Sequence, residues 1–232
     1  MNEKKYNKNY YKFNDQDRDR IGNLFYSNII KRNFKVESYL DFGCGVGFLL
    51  KKIEKIKSIK TTAGYEINDF AINNCKINTI RSKIFNKLEV IEEKFDLISM
   101  IHVVEHIKND ELILLLKQLK KILNKKGKIL ISTPAKYGLA HNLKNNKWIG
   151  FKDPTHINLK SFEDWRMFFI NQNFTIIKSS NDGLWDFPYG KILFKLKFYK
   201  IVCSMIIQIF MGYLLLKNNE GETLILIIEN NE

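Results

Sequence analysis

The chain holds four histidines, at 102, 106, 141 and 156, and three of them stand in a pattern with a carboxylate. His102-x-x-Glu105-His106 comes first, and Thr155-His156 follows later. Imidazole is the side chain best suited to accept a proton near neutral pH. Imidazoles beside a carboxylate also suit a divalent transition metal. Two more carboxylates close apolar runs, Asp41 in YLDF and Glu66 in TTAGYE. Asp41 precedes Gly43-Cys44-Gly45-Val46-Gly47, and a backbone without Cβ atoms at 43, 45 and 47 can turn sharply and admit a ligand close to its amides. The acid ahead of the glycines suits a cationic or amine-bearing ligand better than a pyrophosphate. Phe48 stands where a dinucleotide fingerprint would carry its last glycine. A carboxylate at Glu66, about twenty residues on, can accept bonds from two ribose hydroxyls. Together these residues describe a nucleoside-like, positively charged ligand with proton transfer beside it.

The elements that must position them alternate in type. Strands are expected to Phe42, at Thr61–Glu66, near Ser82–Phe85, at Phe95–Met100 and at Lys128–Ser132, where Pro134 blocks continuation. Between them helices are expected over Val46–Lys57 and Asp69–Asn78, with another capped by Asn109 that turns Leu112, Leu115, Leu116, Leu119 and Ile122 to the core. The first residues to Asn14 read as loose, with Tyr10 and Tyr11 able to fold over a ligand, and Asp15 opens a helix carrying Ile21, Leu24, Phe25, Ile29 and Ile30. A long irregular stretch from Ala135 to Lys160 reads as functional. A helix at Ser161–Asn171 and strands at Phe174–Ser180 and Thr223–Ile228 complete the chain. Such alternation with short connections means an α/β fold, a doubly wound, mostly parallel sheet with helices on both faces. All four histidines then follow the fourth or fifth strand, at the end of the sheet where open α/β folds bind ligands.

YLDFGCGVG resembles motif I of the class I S-adenosylmethionine-dependent methyltransferases. Taken with TTAGYE, KFDLISM–IHVVEHI and KKGKILISTP in that order, the set is similar to this family over roughly Tyr10 to Gln172. The Glu105-His106 pair after the fourth strand is particularly like the ubiquinone-biosynthesis O-methyltransferase branch. The resemblance implies a seven-stranded Rossmann-like sheet whose last strand is antiparallel, with S-adenosyl-L-methionine as cofactor. It also implies roles. Asp41, Phe42, Gly43, Cys44, Gly45 and Gly47 would hold the methionine portion, Glu66 the ribose and Ile67 the adenine, with the adenine edge met near Asn86 and Leu88. Ile101 and His102 would line the pocket beside the methyl group, and Glu105, His106 and His156 would be catalytic, with Trp148 brought over the pocket. Metal-dependent relatives, including small-RNA 3′-terminal 2′-O-methyltransferases, carry E-x-x-E-H with a distant histidine. Here His102 replaces the first glutamate, so the preferred reading needs no metal and has Glu105-His106 cap the following helix and loop.

A chain of 232 residues with 45% hydrophobic content can bury a full core. The expected division is an N-terminal helical cap over 1–34 and a methyltransferase domain over 35–232, with an apolar helical insertion at 191–217. Formal charge is +13, which invites an anionic partner. The lysines are scattered, however, and no basic segment interleaved with aromatics forms a nucleic-acid surface. Three separated cysteines and a polar N-terminus fit reduced thiols in the cytoplasm. Ile201 to Leu216 contains no charged residue and is flanked by lysines. It is too short for a spanning helix and suits a buried core helix, a cover over the substrate entrance, a dimer contact, or a peripheral contact at the inner face of the membrane. The leading function is O-methylation of a small-molecule, lipid or glycan intermediate. The alternatives are an RNA 2′-O-methyltransferase and a non-catalytic S-adenosylmethionine-binding subunit. Phe48 and Asp41 disfavour a nicotinamide oxidoreductase.

Overall fold

The structure, a computed structural model, describes residues 8–13, 16–189 and 196–231. Two helices come first, α1 (Lys8–Phe13) and α2 (Ile21–Asn33). Strands and helices then alternate as β1 (Ser38–Phe42), α3 (Phe48–Ile53), β2 (Thr61–Tyr65), α4 (Asp69–Asn78), β3 (Lys83–Phe85), β4 (Phe95–Ile101), α5 (Asn109–Lys121) and β5 (Leu123–Lys136). The second half holds α6 (Leu139–Lys144), β6 (Lys160–Ser161), α7 (Phe162–Asn171), β7 (Phe174–Asn181), α8 (Leu196–Met211) and β8 (Thr223–Asn230). The sheet runs β3-β2-β1-β4-β5-β8-β7, and the two-residue β6 pairs beyond it with β5. The first five strands in that order pair in parallel, whereas β8 lies antiparallel to both β5 and β7.

Strands buried on both faces read as continuous apolar runs, and β8 shows why. Leu224, Leu226 and Ile228 enter one core with α5 and α7, while Ile225 and Ile227 enter the opposite core with α2 and α3. On the first side α5 presents Leu112, Leu115, Leu116 and Leu119, all buried, at the three-and-four spacing of one helical face. Each such leucine contributes about 1.5–3 kcal/mol by leaving water. Helix α7 starts on a capping box, in which Ser161 accepts from the Asp164 amide and the Asp164 carboxylate accepts from the Ser161 amide.

Four local expectations are corrected. Pro134 does not end its strand but pairs with Thr223 inside the ladder. The neighbouring Ala135 amide donates to Glu222 on the β8 side, so the proline nitrogen faces the β4 side, beyond the last β4 pairing at Ile101 and Ser132. Asn109 is the first residue of α5 rather than its cap, and its Oδ1 accepts from Asn158 and Lys160 instead. Helix α3 is six residues long rather than spanning Val46–Lys57. Gly47 sits in a left-handed conformation at its start, and Arg81 donates to the Glu54 carbonyl at its end. Helix α2 opens at Ile21, after turn and extended residues 16–20. Asp15 and residues 191–195 of the expected insertion lie outside the described residues.

Candidate functional site

A cavity of about 500 Å³ opens beyond the carboxyl ends of the parallel strands, where an open α/β sheet places its ligand crevice. It is lined by Asp41, Phe42, Gly43, Cys44, Gly45 and Gly47 from the end of β1 and the loop after it, and by Glu66 and Ile67 after β2. Ile101 lines it from the end of β4 and His102 and His106 from the segment after it, and His156 closes it from the segment before β6. Asn86 and Leu88 are not among the lining residues.

The three loop glycines do different work. A Cβ at Gly43 would lie 2.7 Å from Val103 Cγ2, and one at Gly47 would lie 2.6 Å from Cys75 Sγ. Both have positive φ, so packing and conformation together demand glycine there. A Cβ at Gly45 meets only the Tyr11 ring, at an ordinary 3.6 Å. Gly45 is therefore the position whose missing side chain leaves room in the cavity rather than in the core.

The carboxylates are buried and anchored, Asp41 through Oδ1 and Glu66 through both oxygens. Ser99 Oγ donates to Asp41 Oδ1 at 2.6 Å, and Ser99 Oγ in turn lies 2.7 Å from the Tyr39 hydroxyl. Burial pushes Asp41 up to about 6, against the bonds from Ser99 and Tyr39, which marks a carboxylate short of positive charge. Glu66 accepts from the amides of Ile67 (2.8 Å), Asn68 (3.0 Å) and Gly45 (3.0 Å). Burial raises its pKa as well, and those amide bonds oppose the rise.

The histidines form a linked group. His102 holds a left-handed backbone, φ 56°, with its amide donating to the Ser132 carbonyl at 2.8 Å. Such a conformation costs a non-glycine residue energy and gathers at functional sites. Its Nδ1 lies 3.2 Å from Glu105 Oε1 and its Nε2 3.4 Å from the Tyr26 hydroxyl. The rings of His106 and His156 lie 4.8 Å apart. His156 Nδ1 lies 2.8 Å from the Gly150 carbonyl, which assigns the proton to Nδ1 and the basic lone pair to Nε2. His106 Nδ1 likewise meets the Thr155 carbonyl (3.2 Å) and the Thr155 hydroxyl (2.9 Å), and that hydroxyl donates to Asp153. Burial holds His106 below the usual imidazole range, with Glu105 opposing and His156 adding to the shift.

Glu105 sits behind these rings rather than on the cavity wall. Fully buried, it accepts from Thr133 Oγ1 at 3.0 Å, and its carbonyl accepts from the Ile157 and Asn158 amides. Burial alone would raise its pKa, but the bond to His102 and the neighbouring imidazoles of His106 and His156 bring it below the usual range. One ligand atom each from Glu105, His106 and His156 falls within a mutual distance of 4.8 Å, so the donor set is compact enough for a divalent cation as well as for proton transfer.

Several lining residues had no part in the motif reading, namely Tyr26, Asp182, Trp185 and Glu222. Tyr26 comes from α2, with its hydroxyl 2.6 Å from Ser132 Oγ. Asp182 follows the last residue of β7, so an acid at a strand end was its signal, as for Asp41. Glu222 precedes β8 and reaches the same end only because β8 is antiparallel. It accepts from the Trp185 and Asp186 amides and the Tyr189 hydroxyl, and burial pushes it up to about 7. Trp148, expected over the pocket, is instead fully buried in a side cluster with Leu184, Tyr189 and Phe198. An indole finds more apolar partners there than at the cavity rim.

A family model described as a methyltransferase domain matches residues 6–179. A comparison with curated protein sequences returned no match. Among solved structures, the plantazolicin methyltransferase BpumL, in complex with a monoazolic desmethylPZN analog and SAH, superposes with a TM-score of 0.66 at 14% identity, covering 97% of this chain and 91% of that one. A SAM-dependent methyltransferase from Archaeoglobus fulgidus gives 0.61 at 18% identity, covering 95% and 99%. A putative methyltransferase complexed with the Haloferax volcanii Trm112 methyltransferase activator gives 0.66 at 13%, covering 96% of each chain. At these identities the likeness is one of fold.

Proposed function

The chain belongs to the methyltransferase domain family and is an S-adenosylmethionine-dependent methyltransferase, and from that premise we propose that it methylates a hydroxyl oxygen of a small-molecule, lipid or glycan acceptor. The cavity fits the cofactor in charge and shape. Asp41 is a buried carboxylate whose side-chain bonds come from the neutral hydroxyls of Ser99 and Tyr39, Glu66 faces the same space, and Gly45 leaves its wall open. In this reading Asp41 and the loop amides hold the amino-acid portion, Glu66 the ribose hydroxyls and Ile67 the adenine. When bound, the cofactor supplies a methyl group on a positively charged sulfur.

The protein's own contribution is alignment and removal of one proton. His102, fixed by Glu105 and the Ser132 carbonyl, borders the reacting centre with Ile101. With the cofactor bound, the acceptor oxygen would take the methyl group as the carbon–sulfur bond breaks and the neutral thioether leaves, and His156 Nε2 would accept the proton that the hydroxyl gives up. His106, kept neutral by burial, supports the adjacent ring. Glu105 is a positioning residue, since it reaches the cavity only through the histidines. The observation that carries this reading is the 2.8 Å contact of His156 Nδ1 with the Gly150 carbonyl, which leaves the basic nitrogen for chemistry in a ring that lines the cofactor cavity. Within the family we place the chain near the ubiquinone-biosynthesis-like branch, on the Glu105-His106 pair after β4.

A second reading, transfer to an amine, is favoured by Asp182 and Glu222, two carboxylates on the same cavity wall. Methyl-tritiated S-adenosylmethionine, offered with pools of hydroxyl-bearing and amine-bearing small molecules, separates the two. Label is expected in the hydroxyl pool, entering on the order of a hundredfold more slowly with His156→Ala. Label confined to amines, or an undiminished rate in the variant, would contradict the first reading.

A further inference from the structure

Helix α8 is anchored on one side and apolar on the other. Phe198, Ile201, Met205 and Ile209 are buried, at helical spacing. The Gln208 amide donates to the Asn181 carbonyl at 3.0 Å and accepts from the Leu215 and Leu216 amides at 2.8 and 3.0 Å. Two α2 side chains pin its end, Asn28 to the Ile209 carbonyl (2.7 Å) and Asn33 to the Gly212 carbonyl (2.8 Å). Its outer edge carries Tyr199, Ile206, Phe210 and Met211, between 51% and 64% exposed, and runs on to Tyr213 and Leu215. Loose packing does not account for this exposure, because the helix is bonded on its inner side along its second half. A contiguous apolar edge of this kind marks an interaction surface.

The rim of that edge is cationic. From Leu196 to Asn219 the chain contains no acidic residue, while Lys200 and Lys217, both exposed, fall within it. From α2, the Arg32 guanidinium lies over the Tyr213 ring at 4.0 Å, and Lys31 and Lys35 are exposed near the same helix end. None of these residues lines the cofactor cavity. A second copy of the chain is a poor occupant, because a two-fold contact sets this cationic rim against itself. A bilayer crossing is excluded by length, since among the described residues no helix is long and apolar enough for it.

We infer that the outer edge of α8 docks on an anionic lipid bilayer, with Ile206, Phe210 and Met211 in the acyl boundary and Arg32, Lys200 and Lys217 at the headgroups. Apolar immersion supplies most of the attraction, and each interfacial cation strengthens partitioning about fivefold. Flotation with vesicles of phosphatidylglycerol and phosphatidylcholine, against phosphatidylcholine alone, tests this. The protein is expected to float with the anionic vesicles at low salt and to be released by salt. Ile206→Glu with Phe210→Glu should reduce flotation more than tenfold while S-adenosylmethionine affinity and Tm stay unchanged. Arg32→Ala should weaken anionic binding about fivefold without touching binding to neutral vesicles. Failure to float at low salt, flotation equal in the variants, or a wild-type dimer that the double substitution breaks without any lipid binding would overturn the inference.

Discussion

The Gly45 amide donates to Glu66 Oε2 at 3.0 Å, so the glycine loop after β1 and the acid after β2 are one structure. Glu66 carries the loop and, in this account, the ribose at once. Glu66→Ala is therefore expected to weaken S-adenosylmethionine binding by about 1.5–3 kcal/mol. Glu66→Gln keeps an acceptor for the amides and should lose less. Calorimetry on both variants checks the order, and a loss of only a few tenths in Glu66→Ala would move the ribose contact elsewhere.

The loop glycines should separate by role. Gly47→Ala drives a Cβ into Cys75 and should lower Tm with or without cofactor. Gly45→Val faces the cavity, so it should retain most of its stability, less about 1–2 kcal/mol for its left-handed backbone, while cofactor binding disappears. A thermal melt and a binding titration on each protein distinguish the two positions.

Asp41 should link cofactor binding to pH. Burial sets its pKa near 6 in the free protein, and a bound cation favours the ionised form. Affinity should therefore fall as pH drops through about 6, by up to tenfold per unit, with proton release on binding in that range. For folding the sign is opposite to the usual carboxylate case. A raised folded-state pKa makes ionised Asp41 a penalty, fully present above about 6 and absent below the ordinary aspartate value of 3.8. Asp41→Asn should thus raise stability at pH 7.5 by roughly 1–3 kcal/mol and lose cofactor binding. A lower Tm would contradict this.

Glu105 should act through the histidines. Its charge raises the His106 pKa against the effect of burial, and a charged His106 would disable the neighbouring His156 base, so Glu105→Gln should move that acid limb of the kcat/KM profile to lower pH. It should also reduce kcat more than it changes KM. An unmoved limb with unchanged kcat would make Glu105 purely structural, the anchor of Ile157 and Asn158.

The side of the cavity built by β1 and β2 was legible because each piece is local. Asp41 and the glycines are contiguous, and Glu66 ends the next strand. The far wall was not. Tyr26 reaches His102 and Ser132 across more than seventy residues, and Glu222 arrives only through an antiparallel last strand. Helix periodicity placed the leucines of α5 correctly but misjudged its first residue, because Asn109 is drawn to Asn158 and Lys160 rather than to its own helix. Pro134 misled for a similar reason. Whether a proline ends a strand depends on which neighbour its nitrogen faces, and that is a property of the sheet.

The central claim, that the space between Asp41, Glu66 and Gly45 holds S-adenosylmethionine, is tested most directly by calorimetric titration of the purified protein with S-adenosylmethionine and with NAD. One S-adenosylmethionine per chain is expected, with no heat from NAD and with loss of the S-adenosylmethionine signal in Asp41→Ala while the fold is retained. Binding of NAD instead, or near-unchanged affinity in Asp41→Ala, would contradict it.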